Sequence, residues 1–183
     1  MLNWIAKQKV NAFGRRWGYD TGYMREILDE VGAGALLPLD ALQKVGKYRR
    51  GIPAAVYCAA KLTAARAADC GPCLQLTASM AEAEGIPLSL IRVLVSGDRA
   101  ALPEDVRLGA DLADATIARD SGGEAARQQI LKRWGRQGLV SLAYAIVVAQ
   151  AFPTLKYALG HGHACVRVKV GGADVPVKAT AAA

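Results

Sequence analysis

Over the first 160 residues apolar positions return every three or four residues, the period of amphipathic helices rather than strands. Leu2, Ile5, Ala6, Val10 and Phe13 make one face of a first helix, with Gly14 and Gly18 near its end. Asp20 or Thr21, both good caps, opens a second that carries Tyr23, Met24, Ile27, Leu28 and Val31 to the break at Gly32-Ala33-Gly34. A third follows Pro38 and runs to about Tyr48. Arg49-Arg50-Gly51-Ile52-Pro53 is a boundary, because the residue before a proline is pushed out of helical geometry. The alanine-rich stretch 54–68 has strong helix propensity. The next helix opens at Cys70-Gly71-Pro72-Cys73 and runs to Glu84, where Gly85-Ile86-Pro87 stops it.

Downstream, 88–95 reads as a short helix ended by Ser96-Gly97-Asp98. Pro103, followed by Glu104 and Asp105, opens a long helix through Arg119. Gly122-Gly123 separates this from 124–134, and a further helix ends near Pro153. Only the end of the chain breaks the pattern. Val166, Val168 and Val170 alternate, Gly171-Gly172 can turn, and Val175 and Val177 alternate again, which predicts a hairpin. Residues 179–183 read as a loose end. No internal repeat or long linker divides the chain. The pattern predicts one all-α domain: N-terminal helices over 1–50, a helical core over 51–160 joined to them, and a short extended tail over 161–183 as an appendage.

Composition places limits on function. With 183 residues, 52% of them apolar, the chain can bury a core without disulfide or metal staples. Four cysteines, at 58, 70, 73 and 165, are far too few for a secreted disulfide scaffold. The opening stretch 1–18 carries Lys7, Lys9, Arg15 and Arg16 and lacks the uninterrupted apolar centre of a secretory signal, so a cytoplasmic protein is expected. The net charge of +7 is uneven, with both ends basic and 80–125 acidic. The basic residues are dispersed and sit in no nucleic-acid-binding motif, so solvated faces or complementary subunits are expected rather than nucleic acid. From 137 to 155 there is no charge at all, close to the ~20 residues that span a bilayer. Gln137, Ser141, Gln150, Pro153 and many alanines, with no second span, predict instead a helix buried in a core or a subunit interface, and no membrane.

The chemistry concentrates at Cys70-Gly71-Pro72-Cys73. A thiolate is the nucleophile in thiol chemistry, and unpaired N–H groups at a helix start favour it. Pro72 suits a first helical position, and two cysteines three apart there share a face and can close a disulfide. Redox chemistry or its vestige, two incidental thiols, and half of a metal site are the readings open to such a pair. A zinc site needs two further ligands, and no second CxxC or HxxxH follows. No Walker loop, GxGxxG, Gly-x-Ser-x-Gly or HExxH occurs, so neither a cofactor nor a metal is expected.

The tetrapeptide equals that of thioredoxins, but theirs follows a buried strand, whereas here a helical segment comes immediately before it. The helix 54–69, the run Cys70-Gly71-Pro72-Cys73-Leu74-Gln75-Leu76-Thr77, and Met80-Ala81-Glu82-Ala83-Glu84-Gly85-Ile86-Pro87 together resemble the alkylhydroperoxidase D-like and carboxymuconolactone decarboxylase-like superfamily. The likeness covers roughly residues 50–155. It implies an oligomeric helical bundle in which Cys73 attacks a hydroperoxide, Cys70 resolves the sulfenic acid as a disulfide, and a dithiol protein restores the pair. The family's proton relay also uses a glutamate twelve residues before the first cysteine and a histidine four after the second; here those positions hold Cys58 and Thr77. Threonine does not titrate and an ordinary cysteine is mostly protonated at neutral pH, so the relay is missing in its usual form.

Three neighbours are auxiliary candidates. Asp69 can act as an acid–base group or, more plainly, as a helix cap; Cys58 can be a third thiol or a buried apolar residue; Thr77 occupies the missing histidine's place. Arg66 can support a thiolate or belong to a solvated face. His161, His163 and Cys165 can offer metal ligands, form a turn, or return a histidine to the dithiol in three dimensions. The leading expectation is therefore a thiol-dependent peroxide-reducing or disulfide-exchanging homo-oligomer. A decarboxylase-like lyase and a non-catalytic binding or structural oligomer are the alternatives.

Overall fold

The computed structural model describes residues 2–164 and 167–177. Helix α1 spans Leu2–Trp17 and α2 Gly22–Glu30; a 3₁₀ turn at Ala33–Leu36 leads into α3, Leu37–Val45. Then come α4 (Ala54–Ala67), α5 (Gly71–Ala83), α6 (Leu88–Ser96), α7 (Glu104–Ala118) and α8 (Gly123–Ala158). Two short strands, β1 (Arg167–Val170) and β2 (Ala173–Pro176), follow as an antiparallel pair with Arg167 opposite Pro176 and Val170 opposite Ala173. The mostly helical class expected from the apolar period is what the fold shows. The ends of the expected hairpin at Val166, and residues 179–183, lie outside the described residues.

The centre of the molecule is α4. Its alanines leave no polar face, and Ala59, Ala60, Leu62 and Ala64 are sealed from solvent by α7 on one side and α8 on the other. Small residues let the backbones approach closely: a Cβ at Gly109 of α7 would stand 2.5 Å from the Val56 carbonyl oxygen of α4. The main core gathers α4 to α8 and the strands, with Leu74, Ile91, Leu94, Ile130 and Leu142 fully buried.

The tail is part of that core and not an appendage. Val168, Val170 and Val175 are buried in it, and Gln75 of α5 clasps Lys169, accepting its N–H at 2.7 Å and donating to its carbonyl at 3.0 Å. The alternation marks strands correctly; which surface they cover is a tertiary matter.

A second, smaller core holds the N-terminal helices, with Val10, Tyr19, Tyr23 and Met24 packed against Leu76 of α5 and Leu155 of α8. Thr21 holds the cap position of α2 without a side-chain cap bond, and Asp20, one residue earlier, accepts the Gly22 N–H at 2.8 Å. The expected inward face of α1 is only partly used, since Val10 is buried while Leu2 and Ile5 are exposed, as is Val31 after α2. Residues 124–134 and the uncharged stretch form one run, α8, broken at Gly135, whose φ of 65° and ψ of −172° interrupt the helix. The run does not end near Pro153. Proline forfeits one backbone bond, but α8 continues to Ala158 with Pro153 and Lys156 buried. By length and composition α8 is apolar enough to cross a membrane, and 44% of its most apolar window is buried within the fold.

Candidate functional site

Between α4 and α5 the chain turns through Asp69, at a φ of 46°, and Cys70 takes the cap position of α5 with extended dihedrals. The cap position expected of Asp69 is thus taken by Cys70, with no side-chain cap bond, while the Asp69 carbonyl accepts the Tyr157 hydroxyl of α8 at 2.7 Å. Pro72 falls in the first helical turn, where its missing N–H costs nothing. The Gly71 N–H is taken by the carbonyl of His163 at 2.9 Å, so the segment after α8 lies against the start of α5.

The two thiols are free and buried, and a hydrogen bond of 2.7 Å joins their sulfurs. Their environments differ. The Cys70 thiol is lowered to about 6, first by the hydrogen bond from Cys73, against the opposing effect of burial, and further by the Cys73 and His163 N–H groups and the charge of Lys156. The Cys73 thiol is pushed up, because its proton is held in the bond to Cys70, it is buried, and a charge on Cys70 repels a second. Their shared hydrogen bond thus favours losing one proton from the pair and opposes losing the second, with Cys70 the more acidic of the two.

Side chains from outside α5 close around this pair. The Tyr19 hydroxyl, from the turn between α1 and α2, stands 3.8 Å from the Cys73 sulfur. Burial raises the phenols of Tyr19 and Tyr23 well above their usual range, so both stay protonated. Lys156 of α8 lies 5.1 Å above the Tyr19 ring and 5.5 Å above that of Tyr23. Neither its ammonium nor the Tyr23 hydroxyl has a hydrogen-bond partner among the described residues. Across the Tyr23 ring, at 6.4 Å, is His161, whose Nε2 is 2.7 Å from Glu26.

The seam between the two cores opens into a cavity of about 890 Å³. Phe13, Trp17, Leu76, Met80 and Phe152 give it apolar walls, and Lys47, Arg49, Lys61 and Glu84 give it charge. Cys73 lines this cavity and Cys70 does not. Arg49 pairs with Glu84 at 2.7 Å, and burial lowers the Lys61 ammonium. A volume of this size with apolar walls and a few polar groups suits a small organic molecule.

The auxiliary candidates part company here. Cys58 is buried in the main core, its thiol pushed up to about 12 by burial, and it faces a small recess with Lys61, Thr77 and Glu84 rather than the dithiol. Thr77 borders the cavity, but its hydroxyl donates to the Cys73 carbonyl at 2.9 Å, a local bond within the helix. Arg66 neither meets the dithiol nor lies on a solvated face: it is buried, with its guanidinium packed against Gly97. The histidine segment does come to the dithiol, yet His163 contributes backbone and His161 reaches only Tyr23 and Glu26. Among the described residues no cluster of three metal-ligating side chains occurs, and Cys165 lies outside them.

Sequence reasoning passed over Tyr19, Tyr23 and Lys156. A lysine immediately after a charge-free run, in a stretch that continues past Pro153, was the available signal for Lys156. No known protein-family model, curated protein or solved structure matches this chain.

Proposed function

We propose that this protein is a thiol-dependent oxidoreductase that reduces an organic hydroperoxide, or exchanges disulfides, through Cys73 and Cys70. The observation that carries the reading is the cavity-lining sulfur of Cys73 standing 2.7 Å from a second thiol that bears the lower pKa. A sulfur that substrate can reach and a partner ready to close on it are the two parts that a dithiol cycle needs.

The negative charge moves to Cys73 when its proton passes along the S–H···S bond to Cys70. The Cys73 thiolate attacks the outer oxygen of the hydroperoxide, the O–O bond breaks, and the alkoxide leaves and takes up a proton to become the alcohol. Cys73 is now a sulfenic acid. Cys70 attacks that sulfur, forming the S–S bond and expelling hydroxide, which leaves as water with the Cys70 proton. One thiolate, one thiol, a hydroperoxide and one proton from solvent, which the alkoxide takes up, thus give a disulfide, an alcohol and water. A protein dithiol returns two electrons by exchange. Tyr19, protonated and next to Cys73, is placed to donate a hydrogen bond to the leaving oxygen.

The same reading carries the other expectations: an alkylhydroperoxidase D-like arrangement, a cytoplasmic setting where thiols are kept reduced, and assembly with further copies of this chain. The helix–dithiol–helix order at 54–83 supports the first, and the exposed side chains of α8 support the last.

The test is thiol titration of the reduced protein before and after an organic hydroperoxide. Loss of two thiols per chain, abolished in Cys73→Ser and arrested at a trappable sulfenic acid in Cys70→Ser, is the expected result. Thiols unchanged in excess hydroperoxide, or equal loss in Cys73→Ser, would leave the protein a non-catalytic binding or structural oligomer.

A further inference from the structure

Lys156 is the most deeply buried charged side chain among the described residues, 1% exposed, with no carboxylate and no hydrogen-bond acceptor on its ammonium. Burying an ammonium is unfavourable unless something nearby answers its charge. The faces of Tyr19 and Tyr23, at 5.1 and 5.5 Å, answer part of it by attraction to the rings. Both phenols are protonated and supply no negative charge. Beyond Tyr23 stand Glu26 and His161, which are paired with each other. What remains is the dithiol: the Tyr19 whose ring Lys156 covers at 5.1 Å sets its hydroxyl 3.8 Å from the Cys73 sulfur, and the lysine's charge acts on both sulfurs.

We propose that Lys156 is the fixed counter-ion of the Cys70–Cys73 dithiol, a positioning residue that sets its redox poise. The consequence is directional. In the reduced state a thiolate faces the ammonium; in the disulfide that charge is gone and the ammonium is left buried beside neutral sulfurs. Lys156 therefore favours the reduced pair over the disulfide and makes the disulfide a ready electron acceptor. This inference rests on the redox reading above and names its partner class, a reduced protein dithiol. The partner's two thiols and the Cys70–Cys73 disulfide yield the partner's disulfide, a Cys70 thiolate, a Cys73 thiol and one released proton.

The role falls to Lys156 because of the chain's own departures from the resembled family. At the positions where that family has glutamate and histidine, Cys58 is a buried thiol pushed up to about 12 and Thr77 spends its hydroxyl on the Cys73 carbonyl. The cation comes instead from α8, delivered past Pro153.

The experiment equilibrates the full chain, as wild type, Lys156→Met and Lys156→Arg, in glutathione redox buffers and counts the Cys70–Cys73 disulfide by peptide mass. In parallel it follows iodoacetamide alkylation of the reduced pair against pH. Lys156→Met is expected to shift the equilibrium at least tenfold toward the disulfide, about 30 mV for a two-electron couple, and to move the alkylation profile to higher pH. Lys156→Arg, which keeps the charge, is expected to stay near wild type in both. If Lys156→Met does not fold, Lys156→Gln, neutral but able to hydrogen-bond, carries the same expectation. A folded neutral variant with unchanged equilibrium and unchanged profile overturns the proposal. A disulfide that forms in no buffer, even in the wild type, overturns the redox reading instead.

Discussion

The Tyr19 hydroxyl reaches the Cys73 sulfur, 3.8 Å away, from the opposite core of the molecule and from 54 positions earlier in the chain. Its ring is held independently by Phe13, edge to face at 5.8 Å. Tyr19→Phe should therefore keep the fold, losing about 1 kcal/mol or less, because the packing of the ring is unchanged. The step in which the hydroperoxide O–O bond breaks should slow by about a hundredfold, the scale of a lost proton donor. Rapid-mixing measurement of sulfenic acid formation, beside circular dichroism and thermal melting, checks both halves. An unchanged rate would remove Tyr19 from the reaction.

The dithiol also makes stability depend on pH in a predictable direction. In the fold the Cys70 thiol is lowered to about 6, first by its hydrogen bond with Cys73, from an ordinary thiol value of 9.0. Between those two values the unfolded chain binds a proton that the folded chain does not, so stability rises as pH rises from 6 to 9, and is lost as pH falls through 6. The slope approaches about 1.4 kcal/mol per pH unit for one proton. Above 9 the sense reverses, because Cys73 keeps its proton in the fold and gives it up when unfolded. Urea midpoints of the reduced protein at pH 6, 7.5 and 9 should trace this rise, and Cys70→Ser should flatten it.

How much of this was legible follows from how local each feature is. Helices α2, α4, α5, α6 and α7 lie close to where apolar period, prolines and glycines place them, since those signals act within a few residues. The dithiol was legible as well, because its geometry is that of a single helix start. Its surroundings were not. Tyr19, Tyr23 and Lys156 meet Cys73 only through the packing of the small core onto α5 and α8. Nothing in the neighbourhoods of Tyr19 and Tyr23 distinguishes them from ordinary aromatic positions, and the charge-free run before Lys156 marks the lysine without saying what it meets. Arg66 illustrates the same limit from the other side, since its place four residues before Cys70 suggests a neighbour of the thiol, and the fold sends its guanidinium to Gly97. The hairpin was readable as strands but not as a cover for α5 and α6.

Cys58 and Thr77, at the positions of the resembled family's glutamate and histidine, should prove dispensable to the chemistry. Cys58→Ser puts a hydroxyl into a buried recess and should lower stability by roughly 1–2 kcal/mol, with dithiol oxidation unchanged. Thr77→Val removes a bond to the Cys73 carbonyl that the helix does not need and should change stability by less than about 1 kcal/mol. Denaturation midpoints and thiol loss on peroxide treatment separate the two effects. A large loss of oxidation in Cys58→Ser would make it a third participating thiol.

The uncharged half of α8 has more apolar surface than one chain covers. Leu142, Ala145, Ile146 and Ala149 are buried, while Tyr144 and Val147 are 40% and 54% exposed on the other side of the same helix. Residues three apart share a helical stripe, so Tyr144 and Val147 form a continuous apolar strip with no charge between them. Assembly with a second copy of this chain along that strip would bury it. Val147→Asp keeps the inward face intact and places a charge on the strip where copies would meet, so an assembly formed there should shift toward monomers while the monomer's own stability falls by less than about 0.5 kcal/mol. Sedimentation equilibrium of wild type and variant over a range of concentrations reads the outcome directly. A wild type that is monomeric throughout, or a variant that assembles as well as the wild type, would free α8 of this role.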